Sequence, residues 1–204
     1  MDHSTAQVYL AKSDPVMRRL IGTVGPCVLK PRTRRPPFES LARAIAYQQL
    51  NGTAAETIVR RFIKLFPANR FPRPNHLATV TDELIRGAGF SWAKIAALRD
   101  LAAKTISGVV PTGREIINMA DAEIIERLTQ VRGVGRWTAE MLLIFQLGRP
   151  DVLAVDDFGL RKGFERAYKL KAMPKPKELL AYGERWRPYR TVASWYLWRA
   201  AEMK

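Results

Sequence analysis

The sequence predicts an all-α protein, and three observations carry that prediction. Apolar residues recur with a period of about 3.6 along most of the chain, as they do on the buried face of a helix. The period-2 alternation of a half-buried strand is scarce. Proline and glycine interrupt the helical pattern at intervals that suit short connections. Seven helices are therefore expected, over residues 38–50, 54–66, 91–106, 121–131, 137–147, 157–168 and 175–186.

Several of these helices have recognisable beginnings and ends. Ser91 and Asp121 each stand at a helix start, where a side-chain oxygen can cap unpaired backbone N–H groups. The basic run at 30–37 contains three prolines and is expected to be a connecting segment. The other connections are expected where proline and glycine cluster, at 22–26, 67–74, 108–113, 148–150 and 173–176.

The composition indicates a single globular unit over residues 1–204 that binds a polyanion. With 204 residues, 47% of them apolar, the chain can bury a substantial core. Lysine and arginine number 34 against 19 acidic residues, a net charge of +15 that favours salt-sensitive association with a polyanion. Cationic residues near the expected binding segments are Arg132, Arg136, Arg161, Lys162, Arg185, Arg187 and Arg190.

Cysteine and histidine are too few for several kinds of site. Cys27 is the single cysteine, which excludes a disulfide framework and a four-cysteine iron–sulfur cluster. His3 and His76 leave no plausible zinc site, so no redox or catalytic metal is expected. The sequence has neither an apolar run of membrane length nor the pattern of a secretion signal. We expect a soluble intracellular protein with no membrane partner.

The stretch VRGVGRWTAEMLL, residues 131–143, is the most informative part of the chain. Gly133 and Gly135 permit a tight turn and a close approach to an anion, and the helix that follows directs its positive dipole end the same way. A helix precedes the turn, no apolar strand does, and the third glycine of a dinucleotide fingerprint is missing. The pattern is therefore helix, hairpin, helix, which suits a grip on a nucleic-acid phosphate.

Beyond this hairpin lies a pair of carboxylates, Asp156 and Asp157, at the start of the next expected helix. Aspartate at a helix start usually serves as a cap, and without the hairpin upstream both would be interpreted in that way.

Four segments together resemble the helix–hairpin–helix (HhH-GPD) superfamily of DNA glycosylases, most closely the 3-methyladenine DNA glycosylase II group in its compact form without an N-terminal β domain. The resemblance covers roughly residues 38–200. It rests on FESLARAIAYQQLNGTAA (38–55), GFSWAKIAALRDLA (89–102), VRGVGRWTAEMLLIF with VLAVDDFGLRKGF (131–145, 152–164), and YGERWRPYRTVASWYLW (182–198).

The resemblance implies an all-α fold of two helical lobes with an active-site cleft between them. The hairpin motif would cover about 121–147, and the lobes would be formed by about 38–130 and by 1–37 plus 131–204. It also implies hydrolytic excision of alkylated purines, of the 3-methyladenine and 7-methylguanine type, from duplex DNA in base excision repair. The damaged nucleotide is flipped out of the stack before its base is removed.

The same resemblance assigns roles to residues. Asp157 falls on the catalytic aspartate, and Asp156 would then be a cap or a local support. The turn of Gln48, Gln49 and Leu50 would fill the vacated stack, with Gln49 or Leu50 as the wedge, although Leu50 could equally be a core residue. The other residues expected to contact DNA are Arg132, Gly133, Val134, Gly135, Arg136 and Thr138.

The residue after the hairpin also indicates that the enzyme does not cleave the DNA strand. Relatives that nick the strand carry a nucleophilic lysine where this chain has Trp137, which cannot form a Schiff base. A monofunctional glycosylase without lyase activity is therefore expected. Its base pocket would be formed by Trp137, Trp198, Met141 and Tyr47. Cationic alkylated purines stack well on indole rings. The remaining tryptophans, Trp92, Trp186 and Trp195, are expected in the core.

This chain departs from the family in two places. Arg132 replaces the usual hairpin proline, and Met141 stands where some relatives have an aromatic residue. Members of the superfamily can hold Na⁺ or K⁺ on hairpin carbonyls, which here would be those of Thr129, Val131 and Val134; otherwise no cofactor is expected. The implied partner is duplex DNA with damaged bases, bound by a monomer, in the nucleoid of a bacterium or the nucleus of a eukaryote.

Two alternatives remain at this stage. The chain could be a non-catalytic helix–hairpin–helix DNA-binding module. It could also be a glycosylase for a neutral lesion such as hypoxanthine or uracil. Neutral bases need stronger activation of the leaving group, and the sequence shows no obvious acid for that purpose.

Overall fold

Helices are the only regular secondary structure in the part of the chain that the structure describes. The structure is a computed structural model that describes residues 3–32, 35–67 and 70–203. Within those ranges there is no strand, so the prediction of an all-α fold is confirmed. The helices are α1 His3–Ser13, α2 Pro15–Val24, α3 Pro37–Tyr47, α4 Gly52–Lys64, α5 Asp82–Gly87, α6 Trp92–Ile106, α7 Asp121–Thr129, α8 Arg136–Leu142, α9 Phe158–Ala167, α10 Pro176–Gly183 and α11 Arg190–Glu202.

All seven expected helices are present, with shifted ends. Helix α3 ends at Tyr47 rather than at residue 50, so residues 48–51 are free to form the connection to α4. Ser91 caps α6, because its hydroxyl accepts a hydrogen bond from the N–H of Lys94 at 3.3 Å. Asp121 is not the cap of α7; Ala120 occupies that position and Asp121 is the first helical residue. Its carboxylate still lies where a helix dipole favours negative charge.

Four helices, α1, α2, α5 and α11, were not predicted. Helix α11 has buried residues on every side, so it lacks the one-sided apolar stripe by which a surface helix is recognised. The start of α2 has a recognisable sequence signal, which is an aspartate followed by a proline. In the structure the side chain of Asp14 caps the helix by accepting hydrogen bonds from two backbone amides, and Pro15 is the first helical residue. The expected helix 137–147 continues from α8 as a π-helical turn, Leu143–Leu147. No helix of the described ranges is long and apolar enough to cross a membrane.

The chain divides into two compact units. One consists of Met1–Thr33 with Leu143–Lys204, and the other of Arg34–Leu142. The hairpin turn and α8 therefore belong with the central segment, whereas the sequence suggested grouping them with the C-terminal one. The basic run at 30–37 includes Thr33 and Arg34, which lie outside the described residues; Lys30, Pro31 and Arg32 are in no helix. The predicted cleft stays a prediction.

In the first unit, α9 and α11 pack backbone against backbone. A β-carbon placed on Gly163 would lie 1.8 Å from the carbonyl oxygen of Leu197, so only glycine fits there. Ala167 and Leu160 on α9, and Leu197 on α11, are buried at this interface. The close approach fixes the position of the last turns of α11 relative to the first turn of α9.

The tryptophans divide between core and surface. Trp186 is fully buried and Trp195 is 9% exposed, so both lie in the core as expected. Trp92 is 56% exposed, so its predicted core position is wrong. It is the first residue of α6, where the ring projects beside the guanidinium of Arg86 at 5.8 Å rather than into the unit.

Candidate active site and nucleic-acid interface

The hairpin between α7 and α8 is a tight turn whose third residue requires glycine. The N–H of Val134 donates to the carbonyl of Val131 at 3.0 Å, closing a four-residue turn. Gly133, the third residue, has φ +76°, a value that side chains strongly disfavour. Val131 and Val134 are both buried and anchor the turn to the core.

Not every predicted contact residue of the hairpin is presented to solvent. Arg132, Gly133, Gly135 and Arg136 are exposed. Val134 is buried and its N–H is already used by the turn, so it stabilises the hairpin rather than offering that N–H to a phosphate. Thr138 is also buried, in the first turn of α8. The guanidinium of Arg136 bonds the carboxylate of Glu140 at 2.9 Å.

Two side chains of helix α6, Asp100 and Lys104, form hydrogen bonds that hold the backbone of the hairpin. Oδ2 of Asp100 accepts hydrogen bonds from the backbone N–H of Arg132 at 2.7 Å and from the ammonium of Lys104 at 2.8 Å. The same ammonium donates to the carbonyl of Gln130. Burial raises the pKa of Asp100, but these hydrogen bonds outweigh it and hold the pKa below its usual value. Proline has no N–H, so the bond to Asp100 exists because Arg132 stands in that place.

The connection between α3 and α4 presents its central side chains to solvent. The N–H of Leu50 donates to the carbonyl of Tyr47 at 3.3 Å, and Gln49 has φ +58° although it is not glycine. Leu50 is 40% exposed, which excludes the core role considered for it. The side-chain amide of Gln48 donates to the carbonyl of Gly133 at 2.8 Å and so joins this turn to the hairpin.

Asp157 stands at the start of α9 and is oriented by two donors. Its Oδ1 accepts the N–H of Leu160 at 2.7 Å and the indole N–H of Trp198 at 2.8 Å. Of the two roles expected for Asp156, that of the cap is wrong, because Asp157 is the cap and Asp156 is exposed in the preceding turn; a supporting role stays a prediction. Charge-assisted bonds of this kind fix a carboxylate in one orientation.

Close packing brings Trp198 to Asp157. A β-carbon on Gly159 would lie 3.3 Å from Oδ1 of Asp157 and 3.4 Å from the indole of Trp198, so glycine leaves room for the ring beside the carboxylate. The ring of Phe145 stacks on Trp198 with centroids 5.6 Å apart. The first unit therefore holds a carboxylate, an indole and a phenyl ring together.

The other predicted pocket residues belong to the second unit. Trp137 and Met141 lie four residues apart on α8 and so share one face of that helix. Trp137 is 46% exposed. The hydroxyl of Tyr47 donates to Oε2 of Glu56 at 2.6 Å, and this bond, with some burial, raises the pKa of the phenol.

Several of the predicted DNA-binding cations are engaged within the protein. Arg190 is 9% exposed and bonds Oδ1 of Asp151 at 2.7 Å. Arg187 pairs with Asp151 at 2.7 Å and with Glu184 at 2.8 Å. The guanidinium of Arg161 donates to the carbonyl of Pro174 at 2.9 Å. The remaining two pairs are Lys162 with Glu165, at 2.7 Å, and Arg185 over the ring of Tyr182, at 3.7 Å.

Sequence reasoning missed residues that act through backbone groups or shape. Asp100 and Lys104 have the i,i+4 spacing of an ordinary helical ion pair, and nothing in the sequence shows that they also bind the hairpin backbone. Gly159 and Gly163 stand inside a helix, where glycine is costly, and that cost was a usable signal of close packing. Phe145 had no signal beyond its apolar neighbours.

Comparison with known proteins places this geometry in context. Residues 42–188 match the model for the HhH-GPD superfamily base excision DNA repair protein. A curated relative, DNA-3-methyladenine glycosylase 1 of Schizosaccharomyces pombe, is 39% identical over 97% of this chain and 87% of its own length.

Solved structures that resemble this chain also include 3-methyladenine DNA glycosylases. The S. pombe 3-methyladenine DNA glycosylase in complex with abasic DNA has a TM-score of 0.85 at 39% identity, over 98% of this chain and 97% of that one. A DNA-3-methyladenine glycosidase from Bacillus halodurans also has a TM-score of 0.85, at 37% identity over 95% of this chain and 87% of that one.

Proposed function

The chain belongs to the HhH-GPD superfamily of base excision DNA repair proteins, and we propose that it is a monofunctional DNA glycosylase that hydrolytically excises alkylated purines from duplex DNA. The observation that carries this proposal is the carboxylate of Asp157, held by the Leu160 amide and the Trp198 indole beside an aromatic surface. The names of the most similar relatives support the same reaction.

The chemistry assigned to Asp157 is electrostatic. The bond between C1′ of the sugar and the purine nitrogen breaks, its electron pair leaves with the base, and positive charge develops on the sugar. A fixed carboxylate stabilises that charge, and water then adds to C1′ and releases a proton. A purine that carries a positive charge from alkylation leaves as a neutral base, so it needs no protonation.

Aromatic side chains account for the proposed substrate class. The stacked rings of Phe145 and Trp198 lie next to Asp157, and Trp137 presents a half-exposed indole on α8. Electron-rich ring faces attract a cationic base. We propose Trp198, with Phe145 added, as base-contacting residues of the first unit, and Trp137, Met141 and Tyr47 as base-contacting residues of the second.

The grip on DNA is assigned to two loops of the second unit. The exposed Arg132, Gly133, Gly135 and Arg136 would contact the phosphate backbone, and the turn at 48–50 would occupy the space left by the flipped nucleotide. Trp137 stands at the position of the lyase lysine, which supports base removal without strand cleavage. We propose that the protein acts as a monomer, in the nucleoid or the nucleus.

The direct test is base release by the wild-type protein from duplexes that each contain one lesion. We expect release of 7-methylguanine and 3-methyladenine, with strand breakage only after alkali treatment. Strand breakage without alkali would contradict the monofunctional assignment. Release of hypoxanthine or uracil but of no alkylated purine would favour the neutral-lesion alternative, and tight DNA binding without any release would favour the binding module.

We further propose that the hairpin carbonyls of Thr129, Val131 and Val134 can hold Na⁺ or K⁺. The carbonyl of Val131 accepts the Val134 N–H, and a carbonyl oxygen keeps a second lone pair for a cation. DNA affinity should therefore be higher in sodium or potassium chloride than in tetramethylammonium chloride at one ionic strength. Equal affinity in all three salts would contradict this proposal.

A further inference from the structure

Lys94 occupies a position that its own helix disfavours. It lies in the first turn of α6, two residues after Trp92, where the positive end of the helix dipole repels a cation. Its ammonium is instead directed to the end of α3, where it donates to the carbonyls of Ala46 at 2.8 Å and Gln48 at 2.7 Å. Loss of hydration lowers the pKa of Lys94. Such a placement indicates that the ammonium stabilises the segment after α3 and does not stabilise its own helix, α6.

That segment is a turn of type II. Gln48, its second residue, has φ −54° and ψ 131°, and Gln49, its third, has φ +58°. The related type I turn needs no positive φ, which a residue such as glutamine disfavours. The two types differ by a flip of the peptide between Gln48 and Gln49, which would turn the carbonyl of Gln48 to the opposite side.

The ammonium therefore selects between the two turn types. In the type II form the carbonyl of Gln48 points at Lys94, and the carbonyl of Ala46 beside it completes the pair. In the type I form the bond to Gln48 would be lost. Gln48 is also held by its own side chain, whose amide donates a hydrogen bond to the carbonyl of Gly133.

We propose that Lys94 is a positioning residue that holds the turn at 48–50 in the conformation in which Gln49 and Leu50 can enter the gap left by a flipped nucleotide. This inference rests on the proposed function, since it assumes that the turn fills that gap. Lys94 does not touch the reacting atoms. It acts through the backbone of the turn, so its effect is specific to DNA that has a gap to fill.

The test compares the affinity for two duplexes, one with a central abasic site and one undamaged. Lys94→Met should weaken binding to the abasic duplex about tenfold, the loss expected for a hydrogen bond to a charged group, and leave binding to the undamaged duplex within about twofold. Lys94→Arg should restore most of the preference for abasic DNA. Lys64→Met, which removes an exposed lysine of α4, is the matched control for loss of one charge.

A second variant tests the turn itself. Asparagine accepts a positive φ more readily than glutamine and keeps the amide, so Gln49→Asn should shrink the effect of Lys94→Met to about threefold or less. An unchanged preference for abasic DNA in Lys94→Met would overturn the proposal. An equal loss on both duplexes, with an unchanged melting temperature, would also overturn it, because Lys94 would then act as a general DNA contact. If the wild-type protein itself shows no preference for abasic DNA, it is the proposed function that fails.

Discussion

The carboxylate of Asp157 has two roles that are separable in principle. It caps α9 through the N–H of Leu160, and it accepts the indole N–H of Trp198, which no cap requires. Capping alone is the ordinary role of aspartate at a helix start. The second bond, from a residue 41 positions away, is what distinguishes this aspartate from its neighbour Asp156.

The bond from Trp198 supports a prediction about the rate of base release. Trp198→Phe keeps an aromatic ring against Phe145 but removes the N–H that orients Asp157. Single-turnover release of 7-methylguanine should slow about tenfold, the value of one hydrogen bond to a charged group, while the melting temperature changes little. A rate equal to that of the wild type would show that the cap alone orients the carboxylate.

At the residue scale, the sequence predicts which residues belong to the candidate site better than it predicts which side chains they contact. Gly133 could be chosen from the hairpin motif, because a tight turn demands glycine, whereas Asp157 is chosen over Asp156 through the family resemblance. The partner of Asp157 could not be predicted, since Trp198 reaches it through the packing of two helices distant in sequence. The same holds for Asp100, whose bond to the Arg132 amide depends on the tertiary placement of α6.

At the scale of helices, the pairing of α9 with α11 positions the candidate site. Gly163 lets the two backbones touch, and Gly159 one turn earlier leaves space for Trp198 beside Asp157. The site thus depends on two positions of this interface, Gly159 and Gly163, at which a side chain would crowd its neighbours. Close backbone packing of this kind tolerates almost no added volume.

A matched pair of glycine substitutions tests this interface. Gly163→Ala places a methyl group against the carbonyl of Leu197 and should lower the free energy of unfolding by about 1–3 kcal/mol or more. Gly22→Ala, on α2 with no neighbouring atom within 4 Å, should instead raise it by about 0.4–1 kcal/mol. Urea denaturation of both variants measures the difference; equal effects would mean that α9 and α11 can separate without cost.

Helices were predictable in proportion to their amphipathic character. Helix α4 has a buried face formed by Ala55, Val59 and Phe62 and an opposite face of charged residues, and the sequence predicts it well. Helix α11 is buried on most sides, so periodicity could not identify it. The predicted helix 38–50 was too long because Gln48 is extended and Gln49 is left-handed, conformations that their residue type does not announce.

At the scale of the whole molecule, the count of 34 lysine and arginine residues overstates the number of cations available to DNA. Arg187 and Arg190 are paired with Asp151 and Glu184, and Arg190 is buried. Arg132 is exposed on the hairpin turn, with its backbone held by Asp100. Composition predicts a polyanion partner, but it cannot separate structural cations from those that face solvent.

The salt dependence of DNA binding distinguishes these two groups of cations. Arg132→Met should reduce the slope of log affinity against log salt concentration by about one, as expected for the loss of one phosphate contact. Arg190→Met should leave that slope unchanged and lower the melting temperature, because it removes the bonds of a buried guanidinium to the side chain and carbonyl of Asp151, which would then keep only Arg187. A reduced slope for Arg190→Met at an unchanged melting temperature would contradict the structural role assigned to it.

The central claim is that the Asp157 carboxylate performs the chemistry, and single-turnover release of 7-methylguanine by Asp157→Asn tests it most directly. Asparagine caps helices as well as aspartate does and can accept both hydrogen bonds, so the fold should persist while the negative charge is lost. Release should fall by about 10²- to 10³-fold with DNA affinity and melting temperature retained, and Asp156→Asn should behave as the wild type. Undiminished release by Asp157→Asn would show that the carboxylate serves only as the cap of α9.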